Sequence, residues 1–138
     1  MIDKIKNRFK QRCYDFVLCH YRKIPQDKFI NAEFSLSNSA CQNNAVASVR
    51  AGRADKVLMV WGGTSNGCIH FINKKDGFYF DETWHDYDSQ DYFIIREVVE
   101  SEYSGICDLL EAPKRMLFNM NGTMLSRYFG MKNINRWI

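Results

Sequence analysis

Residues 68–84 read Cys-Ile-His-Phe-Ile-Asn-Lys-Lys-Asp-Gly-Phe-Tyr-Phe-Asp-Glu-Thr-Trp. Two runs of strand-forming residues flank Asp76-Gly77, a dipeptide suited to a two-residue turn because both positions tolerate positive φ. The stretch predicts an antiparallel hairpin with strands 68–73 and 78–84. A two-residue turn pairs Lys75 with Phe78, Ile72 with Asp81 and His70 with Thr83. Side chains alternate along a strand, so His70, Ile72, Tyr79, Asp81 and Thr83 then share one face. His70 and Asp81 become diagonal neighbours at roughly 7 Å. A four-residue loop puts them directly opposite, whereas a three-residue loop without a bulge separates them onto different faces. Ile69, Phe71, Phe78 and Phe80 form the other, apolar face.

Upstream, Lys56–Trp61 is a continuous apolar run and predicts a buried strand, joined to the hairpin by the glycine-rich loop 62–67. Downstream, Tyr92–Val99 predicts a fourth strand. The remaining segments have helical spacing. Residues 3–22 place Ile5, Phe9, Cys13, Phe16 and Val17 on one stripe, and Pro25 limits the helix. The stretch 26–36 is a connector. Residues 35–39 are rich in capping types and predict a helix from near Cys41 to Arg50 or Ala51, with Gly52 as the stop. Ile106–Met120 predicts a helix interrupted at Pro113, and Thr123–Met131 a shorter one. The expected architecture is α+β, with residues 1–138 as one domain. The Cys41 helix packs on a small antiparallel sheet of three to five strands, with further helices at the N- and C-terminal ends.

With 138 residues, 46% hydrophobic and 25% charged, the chain can bury one sizeable core. The net charge of +3 is small and spread out, which argues against a nucleic-acid partner. No apolar run approaches the roughly 18 residues of a membrane span. The N-terminus lacks the apolar core of a secretion signal, so a cytoplasmic location is expected. Five cysteines, an odd number without paired spacing, suggest reduced thiols rather than a disulfide framework.

The chemistry centres on Cys41. A helix N-terminus favours a thiolate, because the partial positive charge there stabilises the anion. The unsatisfied N–H groups of Cys41 and Gln42 can also donate to an oxyanion. Asn38, or a backbone N–H beside it, is the candidate second donor. Cys41 could instead be a small buried core residue, and His70 and Asp81 plain structural residues. A thiol brought by a helix to an imidazole that a carboxylate orients nevertheless has the general nucleophile–base–orienter arrangement.

Three segments carry a resemblance: Ser39-Ala40-Cys41-Gln42-Asn43-Asn44-Ala45, Gly67-Cys68-Ile69-His70-Phe71 and Asp76 to Trp84. Together they resemble the core of the papain-like and transglutaminase-like cysteine enzymes, which order Cys on a helix, His on a following strand and Asp or Asn on the next. The resemblance implies a Cys41-His70-Asp81 triad and thiol-dependent acyl transfer on a protein or peptide substrate, as a protease, peptidase, deamidase or transferase without a cofactor. Gln42 stands where those families commonly carry an aromatic residue, which leaves the subfamily and reaction open. The rival from another class is a non-catalytic, protein-binding regulator or inhibitor, of the kind a phage encodes to modulate its host.

Other constellations are weaker. A zinc set drawn from Cys68, His70, His85 and Cys41 or Cys19-His20 lacks any C-x₂-C pair. Loop 62–67 lacks the Gly-Lys-Ser/Thr ending of a phosphate loop. Asp86, Asp88 and Asp91 lack the glycine and final glutamate of a calcium loop.

Overall fold

The computed structural model describes residues 1–37 and 40–138, with Asn135 described by its backbone alone. Helix α1 spans Ile2–His20 and buries Phe9, Cys13 and Val17 from its apolar stripe. A two-residue strand, β1 (Arg22–Lys23), follows. Helix α2 is Cys41–Arg50, and the strands β2 (Lys56–Gly62), β3 (Cys68–Lys75), β4 (Phe78–Phe80) and β5 (Tyr92–Val98) come next. Helices α3 (Glu111–Asn121), α4 (Met124–Lys132) and α5 (Ile134–Trp137) complete the chain. The five strands form one antiparallel sheet in the order β1-β5-β2-β3-β4.

Both faces of the sheet are covered, which explains the unbroken apolar run of β2. On one face Val57, Met59, Trp61, Ile69, Phe71 and Phe93 meet the helices through Phe9, Val17, Ala45, Leu117 and Phe118. On the other face Leu58, Val60, Ile72, Tyr79 and Tyr92 are covered by Ile24 and Phe29 from the segment after β1. Phe29 and Ile30 of that segment lie in the stretch 26–36, which the sequence reads as a connector. The segment is held by Ile24 N–H donating to Tyr92 O at 2.8 Å and Ile30 N–H donating to Tyr79 O at 2.9 Å.

The hairpin adopts the two-residue register. Lys75 pairs with Phe78, Lys74 with Tyr79 and Asn73 with Phe80. Asp76 and Gly77 both have positive φ, 51° and 83°, as a turn matched to the twist of the strands requires. The last strand is shorter than the expected 78–84. It stops at Phe80 because Asp81 turns the chain: its Oδ1 accepts the N–H of Thr83 at 2.9 Å and of Trp84 at 3.0 Å. A side chain that takes these donors replaces the sheet ladder.

The C-terminal third also departs from expectation. The predicted helix at 106–120, broken at Pro113, is a run of 3₁₀ turns over Glu100–Leu110, kinked at Gly105, followed by α3. Pro113 falls in the first turn of α3, where its missing N–H has no intrahelical role, so it opens the helix rather than breaking it.

Gly77 is exposed and nothing would meet an added Cβ, so its requirement is conformational alone. Gly77→Val is expected to destabilise the protein by about 1–2 kcal/mol through the left-handed backbone penalty. Urea unfolding measures this, and a neutral Gly77→Val would contradict the turn geometry.

Candidate active site

Cys41 is the first residue of α2. Ala40 takes the N-cap position and offers no side-chain cap, while Asn38 and Ser39 of the capping-rich stretch 35–39 lie outside the described residues. Helix geometry leaves the N–H groups of Cys41, Gln42 and Asn43 without intrahelical acceptors. The helix is fixed by its flank against the residues after β4. Asn44 Nδ2 donates to Thr83 Oγ1 at 3.0 Å and to Ser37 O at 2.9 Å. Ser48 Oγ donates to Glu82 Oε1 at 3.2 Å, and Arg53 grips the same carboxylate with two bonds of 2.9 and 3.1 Å. Glu82 is 3% exposed, so the bidentate cation satisfies a charge that would otherwise be buried at high cost. Asn73 of β3 closes the join, donating to Ala45 O at 2.9 Å.

This join sets Cys41 beside His70. The imidazole is 2% exposed, and its Nε2 lies 2.8 Å from Asp81 Oδ2. A carboxylate accepts only, so Nε2 carries the hydrogen and Nδ1 is left to address the thiol. The Cys41 sulfur acts on the ring through both a hydrogen bond and charge. The thiol also donates to Gln42 Oε1 at 3.3 Å.

The Asp81 carboxylate is fully engaged. Oδ1 takes the two turn N–H groups, while Oδ2 takes the imidazole and the Tyr92 hydroxyl, the latter at 2.8 Å. Burial and the neighbouring carboxylate push the Tyr92 phenol well above its ordinary range, which keeps it a donor. Trp84 stacks on His70, with centroids 3.9 Å apart and planes 9° from parallel. Gly62 is the reason the indole fits, since a Cβ there would collide with the Trp84 ring.

Burial alone would push the His70 imidazole down. The Asp81 hydrogen bond, the Cys41 hydrogen bond and the charges on both outweigh it and raise the ring to about 9. The other buried thiols lie in different surroundings. Burial pushes Cys13 up to about 12 and also raises Cys68. All five cysteines are free, and Cys41 is partly exposed.

Comparison with protein-family models, with curated proteins and with solved structures finds no match. The chemistry of the site therefore rests on its own geometry.

Of the residues singled out in the sequence, Cys41, His70 and Asp81 converge, and Gln42 sits at the second position of the helix beside the thiol. Asn38 lies outside the described residues. The zinc alternative is not assembled: among the described residues no three His, Cys, Asp or Glu side chains gather at metal-binding spacing. Asp86 instead accepts from Gln90 at 2.9 Å, and Asp91 pairs with Lys23 at 3.0 Å. Tyr92 and Trp84 went unrecognised as parts of the site. Trp84 follows the turn-forming Asp81 by three residues, and that spacing is the sequence signal for its place beside the ring.

Two outcomes follow. The folded-state value of His70 is raised from 6.5 to about 9, so its contribution to stability is complete below pH ~6.5 and fades as pH rises through about 9. Urea unfolding between pH 6 and 10 reads this loss, and Asp81→Asn should flatten it. A His70 ring that titrates near 6.5 by NMR would contradict the assignment. Gly62→Ala is expected to displace Trp84 and shift the His70 ring resonances. An unchanged His70 spectrum would show that the stack does not depend on that glycine.

Proposed function

We propose that this chain is a thiol-dependent acyl-transfer enzyme of the papain-like or transglutaminase-like kind, with Cys41 as nucleophile, His70 as acid–base and Asp81 as orienter. The observation that carries this reading is the buried His70 ring, held by Asp81 on one nitrogen and acting on Cys41 with the other. The α+β arrangement supports it, with the nucleophile at the start of a helix packed on β3 and the other two residues on or just past adjacent strands.

In the first step the Cys41 thiol gives its proton to His70, and the sulfur attacks a carbonyl carbon so that an S–C bond forms. Negative charge develops on the carbonyl oxygen, where the free N–H groups at the start of α2, including that of Gln42, can donate. As the tetrahedral species collapses, the C–N bond breaks and His70 hands its proton to the departing amine. The imidazolium so formed is suited to that donation, because Asp81 holds the ring and stabilises its charge. The thioester then passes its acyl group to water, giving a peptidase or deamidase, or to an amine, giving a transferase. His70 removes the proton from that second nucleophile. Asp81 holds the ring in one tautomer and orientation throughout. The substrate class that fits is a protein or peptide amide, and the location that fits reduced thiols is the cytoplasm.

Cys41 should alkylate faster with iodoacetamide than Cys13, Cys19, Cys68 and Cys107 at neutral pH, read for each cysteine by mass spectrometry. Cys13 and Cys68 are held back by raised thiols. Once a substrate is found, Cys41→Ala should abolish turnover with the fold intact, and His70→Ala should be nearly as damaging. Asp81→Asn should lose about 10- to 10⁴-fold in kcat, since an amide can still accept the ring N–H but not stabilise the imidazolium. Equal or slower labelling of Cys41, or full biological effect in Cys41→Ala, would favour a non-catalytic binding protein.

A further inference from the structure

Arg8 and Arg12 stand one turn apart on the same side of α1. Both are exposed, and neither has an ion-pair partner among the described residues. Asp15, the nearest acid on α1, accepts instead from Gln11 at 2.9 Å. Like charges at this spacing oppose the helix slightly, and an anion held between them would reverse that.

Both arginines border a cavity of about 390 Å³ between α1 and the start of α4. Phe9 of α1 and Met124 and Leu125, the first two residues of α4, supply apolar wall. The N–H groups of Met124 and Leu125 have no intrahelical acceptors, as at any helix start, and the Thr123 cap takes that of Ser126. The first turn of α4 carries no acidic residue.

The deciding residue is Asn121, the last of α3. It lines the same cavity, is 9% exposed, and its Nδ2 has no hydrogen-bond partner among the described residues. A buried donor left unpaired costs stability, and folded proteins keep very few of them. This one stands in the wall of a cavity that also gathers two unpaired cations and a helix N-terminus. All of these groups complement negative oxygen. The apolar wall beside them suits a hydrocarbon body and offers little to a fully hydrated inorganic ion.

We propose that this cavity binds a small amphipathic carboxylate, of the class of a medium-chain fatty acid. Its oxygens meet Arg8, Arg12 and the Asn121 amide, and its hydrocarbon lies against Phe9 and Leu125. None of these residues belongs to the Cys41-His70-Asp81 arrangement, so the site stands or falls apart from the acyl-transfer reading.

Titration of isotope-labelled protein with sodium octanoate, followed by NMR, should shift the Asn121 side-chain amide and the Met124 and Leu125 backbone amides saturably. Octanol lacks the charge, while sodium acetate and inorganic phosphate lack the body, so each should bind at least about tenfold more weakly. Arg8→Gln combined with Arg12→Gln should weaken octanoate by about tenfold or more. Asn121→Leu should also weaken it by about tenfold, yet unfold at no lower urea concentration than the wild type, because the amide it removes has no partner to lose. Should Asn121→Leu not fold, the wild-type Asn121 side-chain resonances decide the matter: octanoate must move them. No saturable shift at these three residues overturns the site. So does octanoate affinity that is unchanged in the folded arginine double variant or in folded Asn121→Leu. Octanol or phosphate binding as tightly as octanoate overturns the amphipathic carboxylate. Association with phosphatidylserine vesicles in place of octanoate binding overturns the cavity in favour of a surface contact through the exposed Met124 and Leu125.

Discussion

The hydrogen-bonded charge pair between His70 and Asp81 is the constraint around which the rest of the structure is arranged. Both groups are essentially removed from water, at 2% exposure each, and neither could be there alone. A buried carboxylate must have its lone pairs filled, and here the donors come from three directions: the turn that ends β4, the imidazole on β3 and the phenol at the start of β5. Each donor fixes a piece of backbone. The turn sends the chain toward α2, the phenol ties down the far side of the sheet, and the imidazole is left with one nitrogen to offer. The shortness of β4 follows from the same demand, since Asp81 cannot both extend a strand and collect the N–H groups of Thr83 and Trp84.

A second buried carboxylate does for α2 what the first does for His70. Glu82 points to the helix side and is matched by Arg53 and Ser48. Adjacent acidic residues in the chain thus serve opposite sides of one segment, one orienting the imidazole and the other docking the helix that carries the thiol. Phe34 lies over the Arg53 guanidinium at 4.6 Å and screens that ion pair on its outer side.

The parts of this arrangement that depend on near neighbours were legible in the sequence. Asp76-Gly77 permits few backbones, so register and facing of His70 and Asp81 could be derived from it. Cys41 could be placed at a helix start, and it is the first residue of α2. The illegible parts are held by contacts between distant segments. Arg22–Lys23 is too short to show a period and exists as a strand because β5 offers Ile94 and Phe93 as partners. Tyr92 looks like any aromatic opening a strand until the sheet brings its hydroxyl to Asp81.

The order of these segments along the chain has a consequence for synthesis. A ribosome releases a chain from its N-terminus at roughly 5–20 residues per second. The cysteine emerges first, then the imidazole, then the carboxylate, and last of all the phenol that completes the carboxylate's shell. A nascent chain that has not yet extended past Tyr92 carries the thiol without the assembly that surrounds it in the finished fold. The sulfur is therefore an ordinary cysteine for as long as the protein is incomplete, and its surroundings mature only when the sheet closes over it.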